Sequence, residues 1–407
     1  MTPGSPSAKH PIASRPDILL LLGGLSALTA FATDIILPST GLIAGALGVP
    51  ENRGALLIGT YFIGYGLGQF IWGLLSDAYG RRPVLIIGLS GFVIASVACV
   101  LSTSFTMLVT LRFIQGLSGG SPVVARAIVR DIGQGAEAAR LMSILMSVVA
   151  LAPLVAPSVG SGLLVLFSWH SAFIVLAAVG AMLLVLVIGS LPETLKNPRK
   201  ERLRPAFILA AVPYLFSKRD FLVGTSTTAF SFAGFASVLS MGAVVTERAY
   251  GIGPKEFGAV FAVGAVFLVT GILGTRAVLR YLGLRRTGVV SMGILGVAVA
   301  LHGTFLAYTP GFPVFWGTVG VYMMAMGMIF PTGSAVALEP AGDMPGFASS
   351  IVGMVQMLAG AAGAGVASAL FDGSHRAISI TMVVCGGLAI LCFAGVRLSD
   401  SGKARGG

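Results

Sequence analysis

Apolar runs of about 20 residues recur along almost the whole chain, from Ile18 to Val396. A helix of that length rises about 30 Å, the thickness of a bilayer's hydrocarbon core. In lipid every backbone polar group must find its partner within the protein, so runs of this kind fold as helices. The pattern places twelve spans at 17–40, 53–76, 83–102, 105–128, 137–165, 169–190, 221–246, 256–279, 287–308, 312–337, 346–370 and 376–396. Charged residues make up only 10% of the chain, against about 25% in a soluble domain. A soluble fold so poor in charge would expose apolar surface and aggregate. Glycine is abundant at 56 residues. It weakens helices in water, but in lipid it lets helix backbones approach closely. The expectation is an all-α polytopic membrane protein.

Loops are short except near 191–220, which holds Lys196, Arg199, Lys200, Arg202, Arg204, Lys218 and Arg219. That stretch divides the chain into an N-terminal tail (1–16), a six-helix bundle (17–190), a linker (191–220), a second bundle (221–396) and a C-terminal tail (397–407). With the N-terminus inside, 21 of the 26 Lys and Arg fall on the inner side, leaving Arg53, Arg248, Lys255 and Arg376 outside and Arg112 within a span. So lopsided a split obeys the positive-inside rule and puts both termini in the cytoplasm. It also accounts for the net charge of +11. Cations scattered over many loops are not a nucleic-acid surface. Cys99, Cys385 and Cys392 lie in apolar runs without metal-ligand spacing, and an odd count gives no disulfide framework. No metal site is expected. The first apolar run leads into Asp34 with no cleavage site, which reads as a retained helix.

Two ionisable residues, Asp34 and Arg112, sit inside spans and away from their ends. Each is costly there unless paired or facing water, so each is a functional candidate. Counting residues from the outer ends puts both roughly 10 Å deep, close enough to interact directly or through water. Burial opposes the charge of Asp34 and a neighbouring guanidinium favours it. Such opposed effects suit a group that loads and unloads a proton, with Arg112 as its partner or as a cross-link to backbone carbonyls.

Gly73-Leu-Leu-Ser-Asp77-Ala-Tyr-Gly80-Arg81-Arg82-Pro83 resembles the signature between the second and third helices of the major facilitator superfamily. The resemblance implies a tight inside turn at Gly80. It also implies that Asp77 helps to lock the two halves, with Arg81 and Arg82 in an ionic network that Asp131 joins. Arg112-Phe-Ile-Gln115-Gly116 is similar to the fourth-helix motif of proton-coupled members. Ala152-Pro153-Leu-Val-Ala156-Pro157-Ser-Val-Gly160 resembles the fifth-helix motif of antiporters, with alanine where that pattern prefers glycine. Prolines remove helix hydrogen bonds and small residues pack closely, so Pro153, Pro157 and Gly160 imply a kinked gate. Thr33-Asp34-Ile-Ile-Leu-Pro38, Arg126-Ala-Ile-Val-Arg130-Asp131, Ser168-Trp169-His170-Ser-Ala-Phe173, Pro192-Glu193-Thr194-Leu195 and Phe230-Ser-Phe-Ala-Gly234-Phe235 look like the Bcr/CflA family of bacterial drug exporters. Ser26 stands where some multidrug relatives carry a second acid, which leaves Asp34 as the one evident proton carrier.

That resemblance implies a major facilitator fold of two six-helix bundles around a central cavity at the inner membrane. It implies a transporter, not an enzyme, that exports small amphipathic drugs of the bicyclomycin or chloramphenicol type by alternating access. No cofactor is implied, since the proton gradient drives the cycle, and the chain is expected to act as a monomer. Tyr61, Tyr65, Gln69, Gln115, Met146, Phe230, Phe235, Tyr322 and Gln356 are candidates for the cavity wall, which needs apolar and aromatic surface with a few polar anchors. Met323, Met324, Met326 and Met328 add a soft surface. Import or export of a metabolite is the competing function. No nucleophile–base pair marks an intramembrane enzyme, and no signalling domain marks a sensor.

Overall fold

The computed structural model describes residues 16–133, 136–342 and 344–403. The expected N-terminal tail lies almost wholly outside them. The described residues are helical, with no strand. Fourteen α-helices follow in order: α1 (Pro16–Asp34), α2 (Thr40–Ala46), α3 (Ala55–Tyr79), α4 (Arg81–Val100), α5 (Phe105–Leu117), α6 (Ser121–Ile132), α7 (Ala136–Leu166), α8 (His170–Ser190), α9 (Pro205–Ser217), α10 (Arg219–Tyr250), α11 (Pro254–Thr304), α12 (Phe312–Leu338), α13 (Pro345–Ala369) and α14 (Arg376–Lys403). α11 is two helices, 254–282 and 284–304, joined at Gly283 with φ 74°. α1 with α2 makes one crossing and α5 with α6 another, so the described residues contain the twelve expected crossings.

Four boundaries differ from the sequence reading. The first crossing is not a continuous helix over 17–40. α1 stops at Asp34, a 3-10 turn covers Leu37–Ser39, and α2 runs on to Ala46. Pro38 has no N–H to give the carbonyl of Asp34, which breaks the ladder there, and Asp34 therefore lies farther from the outer end than the sequence count placed it. The fourth crossing is interrupted at 118–120, where Ser118, Gly119 and Gly120 are poor helix formers. The linker is not all loop, since it contains α9. The last helix continues to Lys403, past the expected end at 396.

α3 carries two glycine faces. Gly59, Gly66 and Gly73 recur every seven residues, and a Cβ at each would meet Ala361, Met357 and Ser350 of α13. Gly64 and Gly68 face α5, where added Cβ atoms would run into the backbone of Phe113 and Leu117. Gly116 answers from α5 against the backbone of Tyr61 and Tyr65. Absent side chains therefore set α3 directly against a helix of each half, the close approach expected of small residues in lipid. α10 is the most enclosed crossing, with 94% of its apolar window buried, against α12, α13 and α14.

A side chain at Gly64 would force α3 and α5 apart. Gly64→Leu is expected to destabilise the protein by about 1–3 kcal/mol, as overpacked cores do. Gly274→Leu is the control, because a Cβ at Gly274 meets nothing within 4 Å. Thermal unfolding in detergent measures both, and equal effects would contradict the close-contact account.

Candidate functional site

The close contact of α3 with α5 sets Arg112 deep in the N-terminal half, with no solvent exposure at all. Its guanidinium lies over the Tyr61 ring, 4.1 Å from the centroid. Nε donates to the Leu57 carbonyl at 3.2 Å, and Nη1 donates to Oε1 of Gln115. Gln115 in turn donates to Ser96 Oγ at 2.7 Å, and Ser96 donates to the Phe92 carbonyl. Nη2 has no hydrogen-bond partner. This cation is held by a ring face and neutral acceptors, which can sustain a charge away from water.

Asp34 ends α1 and is 5% exposed. Among the described residues no donor hydrogen-bonds its carboxylate and no cation pairs with it. The direct contact with Arg112 open at sequence level is therefore not made. Tyr61 lies within electrostatic reach of both. Its ring carries the guanidinium, and its hydroxyl donates to the Thr29 carbonyl at 3.3 Å. Thr33 donates to the same carbonyl at 3.0 Å, one residue before Asp34. Tyr61 and Gln115, expected in the cavity wall, thus hold Arg112.

The turn between α3 and α4 is built around Gly80, φ 106°. A Cβ there would collide with the Glu193 carboxylate. That carboxylate accepts the backbone N–H of Arg81 at 2.9 Å and of Arg82 at 3.1 Å, besides those of Thr194 and Leu195. Burial pushes the Glu193 carboxyl up, but these four N–H groups together hold it below the ordinary glutamate value. Arg81 pairs with Asp77 at 2.6 Å and with Asp131 at 2.9 Å. Asp77 also pairs with Arg202 of the linker at 2.7 Å. Arg82 donates to the Ile188 carbonyl instead. Sequence reasoning gave Glu193 and Arg202 no role. Their signal was a lone acid after the sixth span and a cation cluster, each facing a motif more than a hundred residues away.

At the helix ends away from that turn, Pro157 and Ser158 of α7 meet Gly258 of α11 across the halves. Ser161 Oγ donates to the Pro254 carbonyl and accepts the Gly258 N–H, both at 2.9 Å. Gly160 lies against the Ile35 backbone, and Pro153 is one turn before Pro157 in the same helix. Glu51 pairs with Arg248 at 2.6 Å, and Asn52 exchanges hydrogen bonds with Ser368. At the ends on the side of the Gly80 turn, Phe70 and Phe207 both pack on Phe347. The halves therefore touch at both ends. Between them, Phe62 of α3 meets Phe232 of α10 at 5.4 Å, and Phe235 and Phe330 pack on Phe232. Phenylalanine rings of α3, α10 and α12 thus meet between the halves. Gln69 packs on Gly353, Tyr322 donates to the Ser231 carbonyl, and Gln356 is buried with an unpartnered Nε2. Tyr65 and Phe230 are half-buried. Met146, at 36%, is the exposed residue of the expected wall. Met323, Met326 and Met328 are buried.

Twelve crossings in two halves that touch at both ends make a polytopic membrane protein. A family model described as Major Facilitator Superfamily matches residues 20–364. The chain is 31% identical over 371 residues to the uncharacterized MFS-type transporter YdgK of Bacillus subtilis, covering 88% of each chain. It is 30% identical over 388 residues to a bicyclomycin resistance protein homolog of Haemophilus influenzae, covering 92% of this chain and 94% of that one. Its fold is similar to that of a D-xylose-proton symporter, with TM-score 0.74, 17% identity, and 93% and 96% coverage. The chain belongs to the major facilitator superfamily, among its Bcr/CflA-type members.

Two outcomes check this geometry. Gln115→Leu removes the acceptor of Arg112 and the donor to Ser96, and is expected to cost about 1–3 kcal/mol by thermal unfolding. Glu193→Gln weakens the brace on the inner turn. Because the folded-state acidity of Glu193 is the stronger, its stabilisation is present above the unfolded-state value and lost as pH falls through the folded one. Wild type should therefore exceed the variant in stability at neutral pH and converge with it in acid.

Proposed function

We propose that this protein exports small amphipathic drugs or antibiotics, of the bicyclomycin or chloramphenicol type, in exchange for protons across the bacterial inner membrane. The observation that carries the reading is Asp34, a carboxyl buried in the broken first crossing without a partner among the described residues. A carboxylate's charge is expensive in such a place and its neutral form is not, the property a proton carrier needs. Arg112 keeps a fixed positive charge one tyrosine away, so a negative Asp34 gains from approaching it and a neutral one does not. The two protonation states of Asp34 thus favour different arrangements of α1 against α3 and α5. A ligand drives a transition only if it binds the two states differently. Drug binding would be such a bias and protonation the other.

Contacts at both ends support alternating access, since each face must open in turn. At the inner end the Asp77–Arg81–Asp131–Arg202 group and Glu193 would brace the gate. At the outer end the packing of Pro157, Gly160 and Ser161 would do so. The distribution of Lys and Arg supports cytoplasmic termini. We assign no cofactor and take the single chain as the working unit. The name of the Haemophilus influenzae relative supports an antibiotic as cargo.

Everted vesicles energised with a proton gradient test this reading. Drug uptake that an uncoupler abolishes is expected for wild type, and uptake at the level of protein-free vesicles for Asp34→Asn. Equal uptake by both would remove Asp34 from the proton path. Drug uptake by neither, with gradient-driven movement of a metabolite, would replace drug export by metabolite transport.

A further inference from the structure

α9 is 13 residues long, about 20 Å, too short to cross a bilayer. One of its faces is accounted for. Ala211 and Leu215 are buried, with Phe207 and Ile208 beside them, against Leu74 of α3, Phe221 of α10, Ala337 of α12 and Phe347 of α13. α9 therefore lies over the inner ends of both halves. Its other face is also apolar. Leu209 is 74% exposed, Tyr214 45% and Phe216 37%, with Ala206, Ala210 and Pro213 exposed among them. A helix covering a protein on one side and facing water on the other carries polar residues on its outer face; here the exposed positions are apolar apart from the Tyr214 hydroxyl and the terminal Ser217.

Charge flanks this face. Lys196, Arg199, Lys200 and Arg204 are exposed ahead of α9, and Lys218 follows it. Glu201 is the one acid between Lys196 and Lys218. The Lys218 ammonium sits over the Tyr214 ring at 4.7 Å, which brings a cation to the ring that faces outward. An apolar helix face rimmed by cations, with an aromatic ring at its edge, is the composition of a helix lying in the headgroup boundary of an anionic membrane. We propose that α9 is a lipid-docking strap: its outer face inserts into the headgroup boundary of the cytoplasmic leaflet, and the cations beside it bind anionic lipid headgroups. The surface is built for a bilayer of negative charge, to which the spans on either side already confine it.

The strap rests on the placement of the linker at the cytoplasmic side. Its test does not depend on transport, and vesicles with the same lipid in both leaflets read it whichever way the protein inserts. Full-length protein carrying Leu209→Cys, with Cys385 and Cys392 replaced by alanine, is labelled with a nitroxide. It is reconstituted into phosphatidylcholine vesicles with or without phosphatidylglycerol. Relative collision rates with oxygen and with a water-soluble nickel chelate give the label's depth. The expected result with phosphatidylglycerol is a depth of roughly 5–10 Å, and a shift toward the aqueous phase in pure phosphatidylcholine and in Lys200→Gln/Arg204→Gln. A label as open to the chelate as one at Lys196 in both lipids overturns the proposal. So does a depth indifferent to lipid charge and to the double variant. Shielding from both reagents that disappears on dilution in detergent assigns the face to a second copy of the chain and overturns it too.

Discussion

Backbone-to-backbone contact along α3 is the constraint on which the rest of the structure depends. Two sets of missing side chains let it meet α13 on one side and α5 on the other. Contact with α5 turns Arg112 onto Tyr61 and Leu57. Contact with α13 joins the halves along the same helix. In lipid, helices gain nothing from hiding apolar surface from one another, so close packing and buried hydrogen bonds must hold them together. Both arise along α3. A helix fixed by its backbone on two sides is a reference beside which α1 is broken after Asp34.

The cation and the acid in the membrane are treated in opposite ways. Arg112 is held at Nε and Nη1 by neutral acceptors and across its plane by an aromatic face, with Nη2 left unpartnered. Asp34 is buried without such support. Under the proposed exchange, a fixed charge on one helix faces a changeable one on another, and a proton would alter the forces between them without altering the scaffold.

Sequence carried the crossings well, because apolar length is set by bilayer thickness and does not depend on partners. It misplaced what tertiary context decides. The kink after Asp34 was written in Pro38 but hidden within a continuous apolar run. α9 was hidden by the cations around it, which made the linker look like a loop. Tyr61 and Gln115 were seen as polar groups on spans, yet nothing in a sequence says whether such a group faces a cavity or a buried cation. The inner motif was legible as an acid beside two arginines. Its brace, Glu193, was not, because it accepts backbone N–H groups from residues more than a hundred positions away, and a backbone donor leaves no mark in the sequence.

The two halves share a joint that they do not load alike. Gly80 ends α3 and Gly283 divides α11, each a single left-handed glycine between two crossings. Over Gly80 a carboxylate is clamped, whereas a Cβ at Gly283 would meet nothing within 4 Å. The turn in the N-terminal half thus has its backbone N–H groups tied down by a carboxylate, while the glycine of its C-terminal counterpart has open space on its Cβ side.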